Sequence, residues 1–171
     1  DDDIVIMGSA TGLKDELWFY QSGIFIERLA PEFIENVLLV HDGHAKQDNI
    51  SILNGLQNIL GVIRQLKPKL MRIRELCGVK PFYNTIRRYL SGWKNDQNLP
   101  NGVEYEGYGW QKLPGATAAQ SPFVQLIDIV FGIEHSIEFA RVMYDSVPAE
   151  DRIVLDYFKQ RPTLREIVIA T

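Results

Sequence analysis

Between residues 52 and 66, apolar side chains recur at steps of three and four: Ile52, Leu53, Leu56, Ile59, Leu60, Ile63 and Leu66. This is the repeat of a helix with one buried stripe, not the two-residue alternation of a half-buried strand. Asp48 or Asn49 stands where its N-cap belongs. Pro68 is expected to kink or break it, with "LMRIREL" continuing beyond, and Gly78 suits a helix stop. Other stretches follow the same rule. "DELWFYQSGIFIERLA" (15–30) is apolar on most faces, as in a helix buried in a core or beside a large ligand. Pro31 interrupts it and opens "PEFIENVLLVH" from a first-turn position. "ATAAQSPFVQLIDIVFGIEHSIEFARVMYDSV" reads as one long apolar helix. "PAEDRIVLDYFKQR" and "PTLREIVIA" read as two shorter ones, each opened by a proline. Residues 41–48, "HDGHAKQD", form a polar turn, and 95–115, rich in glycine and proline, a long irregular connection. The expected class is all-α, in a single domain over 1–171 that belongs to a longer catalytic domain.

Charge narrows the partners. Lys and Arg number 18 against 22 Asp and Glu, a formal net charge of −4, which argues against a nucleic-acid or anionic-membrane surface. No apolar run approaches the ~20 residues that cross a bilayer. The start, "DDDIVIMGSATG", is acidic and too weakly apolar for a signal peptide. Cys77 is the only cysteine, so no internal disulfide forms and a reducing, cytoplasmic setting is expected. Its place at the end of an apolar helix suits packing better than nucleophilic attack. The chain begins without methionine and ends on the apolar "REIVIAT", so a piece of a longer protein is expected. His41 and His44 flank a glycine turn with no third ligand in view and read as solvent-facing. His135, after "GIE", reads as a surface residue or one satisfied by Glu134 or Glu138.

"KPFYNTIRRYLSGWK" (80–94) holds two adjacent arginines in an amphipathic helix. At about 100° per residue, Phe82, Ile86, Tyr89 and Trp93 share a face, with Leu90 and Tyr83 beside them. Arg87 then borders that face and Arg88 looks at water. A guanidinium beside an aromatic face needs an anion, and its planar fork suits a carboxylate. Two partners stay open: an internal Asp or Glu, or the carboxylate of a ligand with Phe82 packed on its apolar part. In "GATAAQS", Thr117 and Gln120 fit a capping box that opens the next helix. The same run of small residues lets a flat ligand approach the backbone, with free helix-start N–H groups facing an oxygen.

Taken together, "FYNTIRRYLSGWKNDQNLPNGVEYEG" and "PGATAAQSPFVQLIDIVFGI" resemble the indoleamine 2,3-dioxygenases of the haem-dependent indole/tryptophan dioxygenase superfamily. "WFYQS" and "RPTLREIVI" resemble its earlier Phe-Phe-x-x-Ser and later Val-Arg-Glu-Phe-Val segments, in the same order and at similar spacing. The resemblance implies an all-α oxidoreductase of tryptophan catabolism (the kynurenine pathway) that binds haem b and dioxygen. It cleaves the indole C2–C3 bond of L-tryptophan or a related indole to N-formylkynurenine. It further implies that Arg87 holds the substrate carboxylate and that Phe82 packs on the indole. Trp18 takes the place of a pocket phenylalanine, with Phe19 beside it, and Ser22 matches a distal-pocket serine near both ring and haem. Thr117, Ala118 and Ala119 match a Ser-Ala-Gly turn over the haem edge and substrate amine. Leu90 and Val124 match positions lining the substrate and haem pockets. No metal ligand is matched, because the family's axial histidine corresponds to a position beyond Thr171. Rival expectations are an indole monooxygenase or tryptophan-rearranging enzyme of the same superfamily, and a catalytically silent helical homologue.

Overall fold

The computed structural model describes residues 4–171. Its elements run α1 (Lys14–Glu27), α2 (Ala30–Lys46), α3 (Asn49–Met71), α4 (Ile73–Leu76) and α5 (Val79–Pro81). A π-helical turn (Phe82–Ile86) and α6 (Arg87–Leu90) follow, then strands β1 (Val103–Tyr105) and β2 (Gly109–Gln111). After a 3-10 turn (Ala118–Gln120) come α7 (Pro122–Phe131), α8 (Ile137–Asp145), α9 (Ala149–Lys159) and α10 (Leu164–Ala170). Among the described residues the chain is all-α apart from one small hairpin. Among the described residues no helix is long and apolar enough to cross a membrane.

Chain contacts divide the molecule into two compact units, one of residues 1–22 with 71–117, the other of 23–70 with 118–171. The second unit holds the main core. Phe33, Val37 and Val40 of α2 and Ile52, Ile59 and Val62 of α3 bury with Phe123, Leu126 and Val130 of α7, Leu155 and Phe158 of α9, and Leu164 and Ile167 of α10. Each large side chain so buried contributes about 1.5–3 kcal/mol. Gly55 allows α2 and α3 to touch: a Cβ there would lie 2.6 Å from Val40 Cγ2 and 2.9 Å from Asn36 O.

In the first unit, the Glu16 carboxylate is fully buried in α1. It accepts the Ala10 N–H at 2.9 Å, the Thr11 N–H at 2.8 Å and the Thr11 hydroxyl at 2.5 Å. Burial pushes its pKa up, but hydrogen bonds from the Thr11 side chain, the Ala10 and Thr11 amides and Ser9 outweigh it and pull the value down to about 2.

Several elements differ from the sequence expectation. The expected turn at 41–48 is helical to Lys46, and only Gln47, at φ 57°, and Asp48 separate it from the next helix. Gly43 marks packing instead of a bend, since a Cβ would come within 3.0 Å of Ile52 N and Ser51 Cβ. Asp48 caps α3 as expected, its Oδ1 accepting the Ile50 and Ser51 amides. That helix runs on past Pro68 to Met71. The single long helix expected after residue 116 is two helices. Gly132, at φ 70°, ends α7, and the Ile133 N–H closes the cap onto Asp128 O at 2.8 Å. The N-cap of α7 is Ser121, which accepts the Val124 N–H, while Ala118–Gln120 form the 3-10 turn before it. Residues 95–115 contain the hairpin, with Val103, Glu104 and Tyr105 opposite Gln111, Trp110 and Gly109.

Candidate functional site

The aromatic-arginine stretch is wound more loosely than an α-helix. Over Phe82–Ile86 the turns are π-helical, and a backbone N–H at the Arg87 end bonds back to Phe82 O. Such turns hold an extra residue, and they recur at functional sites. The extra residue rotates everything after it, so the 100° wheel misplaces the following side chains. Ile86 becomes the buried member and Arg87 is exposed, in place of its expected position at the edge of a buried face.

Arg87 borders a cavity of about 390 Å³, lined with Phe19, Phe82, Leu90, Ser91, Gly115 and Ala116. Phe19 and Phe82 meet at 5.1 Å between centroids with planes tilted by 41°, forming one aromatic wall. The guanidinium lies 5.2 Å from the Tyr83 ring centroid. Among the described residues no carboxylate is within ion-pair distance of it. Of the two anions the sequence left open, the internal one is absent from its surroundings.

The backbone crossing that brings Gly115 to this cavity depends on two glycines. Gly92 pairs with Pro114 in an isolated antiparallel bridge, and the Ala116 N–H donates to Leu90 O at 2.8 Å. A Cβ on Gly92 would meet Gly115 N at 2.5 Å, and one on Gly115 would collide with Leu90 O. Side chains at either position would push the backbone segments apart. Trp93 locks the hairpin against this crossing, donating Nε1–H to Gln111 O at 3.0 Å and stacking on Tyr105.

A separate cavity of about 430 Å³ lies wholly within the second unit, walled by Ala118, Ala119, Val124, Ile129, Phe139 and Met143 among others. Gln125 Nε2 ties this wall together, donating to Ala119 O at 3.1 Å and Met143 O at 3.2 Å. Its polar edge includes His135, whose Nε2 lies 2.9 Å from Asp128 Oδ2. The partner is therefore Asp128, on the preceding helix, and neither Glu134 nor Glu138.

Comparison with known proteins turns these features into a family. The indoleamine 2,3-dioxygenase family model matches residues 1–171. The chain belongs to the indoleamine 2,3-dioxygenase family. It is 30% identical to indoleamine 2,3-dioxygenase 1 of Rattus norvegicus over 96% of this chain and 42% of that protein. It is 27% identical to the indoleamine 2,3-dioxygenase of Saccharomyces cerevisiae over 98% of this chain and 41% of that protein. An indoleamine 2,3-dioxygenase of Aspergillus candidus is 29% identical, over 94% of this chain and 44% of its own. The chain thus spans less than half the length of the curated relatives it matches.

Within this indoleamine 2,3-dioxygenase family chain, the residues expected at the site fall into groups. Arg87, Phe82, Phe19 and Leu90 gather on the first cavity. Ala118, Ala119 and Val124 gather on the second. Trp18 and Ser22 line neither. The Trp18 indole N–H donates to Arg72 O at 2.7 Å. Ser22 is buried and its hydroxyl donates to Trp18 O at 2.7 Å, a bond within its own helix. Thr117 is exposed beside these small residues. Sequence reasoning missed Ser91 and Gln125, and it read Gly115 and Ala116 only as part of the small-residue run of "GATAAQS". The signal for Gly115 was present in two glycines, in "LSGW" and "LPGA", that flank a hairpin-length insertion.

The haem that the resemblance implies meets a suitable wall in the second cavity. Ala118 and Ala119 keep side chains short, and Val124, Ile129 and Met143 offer apolar contact to a flat ring. Donors for its iron are a separate matter. His135 engages Asp128, and His41 is not a loop residue but lies on α2 with Nε2 3.0 Å from Pro162 O. Among the described residues no three His, Cys, Asp or Glu side chains gather as a metal site. Short and apolar side chains on this wall suit the face of a macrocycle, while the histidine that lines the same cavity, His135, is engaged by Asp128.

Proposed function

We propose that the protein is a haem-dependent dioxygenase that cleaves the indole C2–C3 bond of L-tryptophan, or a related indole, to the N-formylkynurenine type of product. The observation that carries this reading is the Arg87 guanidinium, without a carboxylate partner among the described residues, at a cavity walled by Phe19 and Phe82. Arg87 takes the substrate carboxylate through a two-pronged, charge-assisted contact. Phe82 and Phe19 hold the indole by ring contact, and Leu90 with the Gly115–Ala116 backbone closes the space around it. Fixing both ends of the amino acid removes the rotational freedom that otherwise separates the reacting atoms. The aromatic wall also excludes water from the reacting face.

Ala118, Ala119 and Val124 would hold the haem, with Ser22 and Thr117 assigned beside it by resemblance. When bound, the haem supplies activation of dioxygen, whose two atoms end in the product. A cytoplasmic setting goes with this reading, since Cys77 is reduced there.

The test uses the full-length protein supplied with hemin, a reductant, dioxygen and L-tryptophan, with the product weighed by mass spectrometry. Gain of two oxygen atoms is the expected result. Gain of one reassigns the protein to the monooxygenase chemistry of the superfamily. No haem uptake and no product leaves a silent homologue and overturns the proposal.

A further inference from the structure

At Trp18 the chain carries an indole where the family resemblance implies phenylalanine, and the difference adds one N–H donor. That donor is used. Trp18 Nε1 donates to Arg72 O at 2.7 Å, and the Arg72 guanidinium lies 5.2 Å from the ring centroid. One helical turn earlier, Asp15 Oδ1 accepts the Gly78 N–H at 2.8 Å. Residues three apart share a helix face, so one face of α1 grips both ends of the segment 72–78. That segment contains α4 and leads through α5 into the π-turn and α6, which carry Phe82 and Arg87. Phe19, the neighbour of Trp18, crosses to Phe82 and lines the cavity that Trp18 does not.

We infer that Trp18 is a positioning residue: its bond to the Arg72 carbonyl, with the Asp15–Gly78 bond, sets the spacing between the Phe19 ring of α1 and the Arg87 guanidinium. Two bonds fix the rotation of α1 about its axis and the start of the arginine-bearing helix together. Phenylalanine at 18 fills similar space and makes no such bond. The device selects ligands that present an aromatic ring and a carboxylate at one separation. A ligand using the ring alone is indifferent to it. This rests on the function proposed above, and it names what that site measures in its substrate.

The test compares the full-length wild type with Trp18→Phe, using L-tryptophan, which has both groups, and tryptamine, which lacks the carboxylate. Loss of one hydrogen bond predicts a KM for L-tryptophan raised about fivefold, with kcat held within about twofold. The Kd for tryptamine should stay within about twofold. A merely structural role for Trp18 weakens both ligands together, and that result overturns the inference, as does a variant equal to wild type for L-tryptophan. If Trp18→Phe does not fold, Asp15→Ala cuts the second bond and must give the same selective loss. Equal loss of both ligands, or none, overturns the inference there too. A wild type that binds neither ligand defeats the proposed function and this inference with it. A wild type that binds both, with variants that do not discriminate, defeats this inference alone.

Discussion

Arg87 and Arg88 carry the same side chain one residue apart, and only the first lines the aromatic cavity. Arg87→Ala should therefore raise the KM for L-tryptophan by about ten- to a hundredfold, the loss expected of a charge-assisted contact. Arg88→Ala should leave it within about twofold, and steady-state kinetics on the two variants decides. Glu16 gives a second prediction, in acid. Its pKa in the fold is about 2 against an ordinary 4.5, so the unfolded chain binds the proton first as pH falls. The stability it supplies is whole above 4.5 and drains away as pH drops toward about 2. Melting curves across that range should fall more steeply for the wild type than for Glu16→Gln, and parallel curves would exclude the role. At this scale the sequence was half legible. The apolar neighbours of Arg87 could be read from spacing, but the π-turn that rotates it could not, because no composition rule marks where a helix takes up an extra residue. Glu16 looked like any acidic residue in a first helical turn. Its donors come from a segment five and six residues earlier that has no periodic pattern.

Elements were legible where apolar residues repeat at helical spacing and a local residue opens the helix. The α3 stripe with its Asp48 cap and the proline that opens α2 follow local chemistry, whereas α10, read as opened by Pro162, is opened by a Thr163–Glu166 capping box. Glycines misled wherever their reason was tertiary. Gly43 reads as a turn but serves a helix contact, whereas Gly132 reads as part of a helix and ends one. The hairpin is hidden because strands of three residues, none of them buried, are too short to carry an alternation. Two glycine substitutions test this distinction between local and tertiary causes. Gly61, within α3, has nothing within 4 Å of a new Cβ, so Gly61→Ala should stabilise the protein by about 0.4–1 kcal/mol through the unfolded chain. Gly115→Ala drives a Cβ toward Leu90 O and Ser91. It should cost about 1–3 kcal/mol and weaken L-tryptophan binding as the cavity wall shifts. Denaturant melts of both variants settle the signs, and a neutral Gly115→Ala would show that the crossing yields easily.

Across the whole molecule, two ionisable groups, Glu16 buried and His41 half-buried, sit in different compact units and answer to different pH ranges. His41, in the second unit, packs its ring 6.0 Å from Phe158 and directs Nε2 to Pro162 O, just before α10. Its Nδ1 is buried and has no partner among the described residues. Burial, ahead of the opposing Pro162 carbonyl and the nearby charges of Arg161 and His44, lowers its pKa from 6.5. A histidine held neutral in the fold is protonated first in the unfolded chain. Its contribution is therefore complete above 6.5 and declines as pH falls below it. Glu16 begins to fail only below 4.5. Acid should therefore loosen the two units in sequence. Amide exchange, corrected for intrinsic rates, should first lose protection in α2 and α10 as pH passes below 6.5. The Ala10 and Thr11 amides held by Glu16 should stay protected until pH passes below 4.5. His41→Gln, which keeps a donor for Pro162 O without a titrating ring, should remove the first step and leave the second. Simultaneous loss in both units would mean that they open as one cooperative body, whatever the local chemistry of each group.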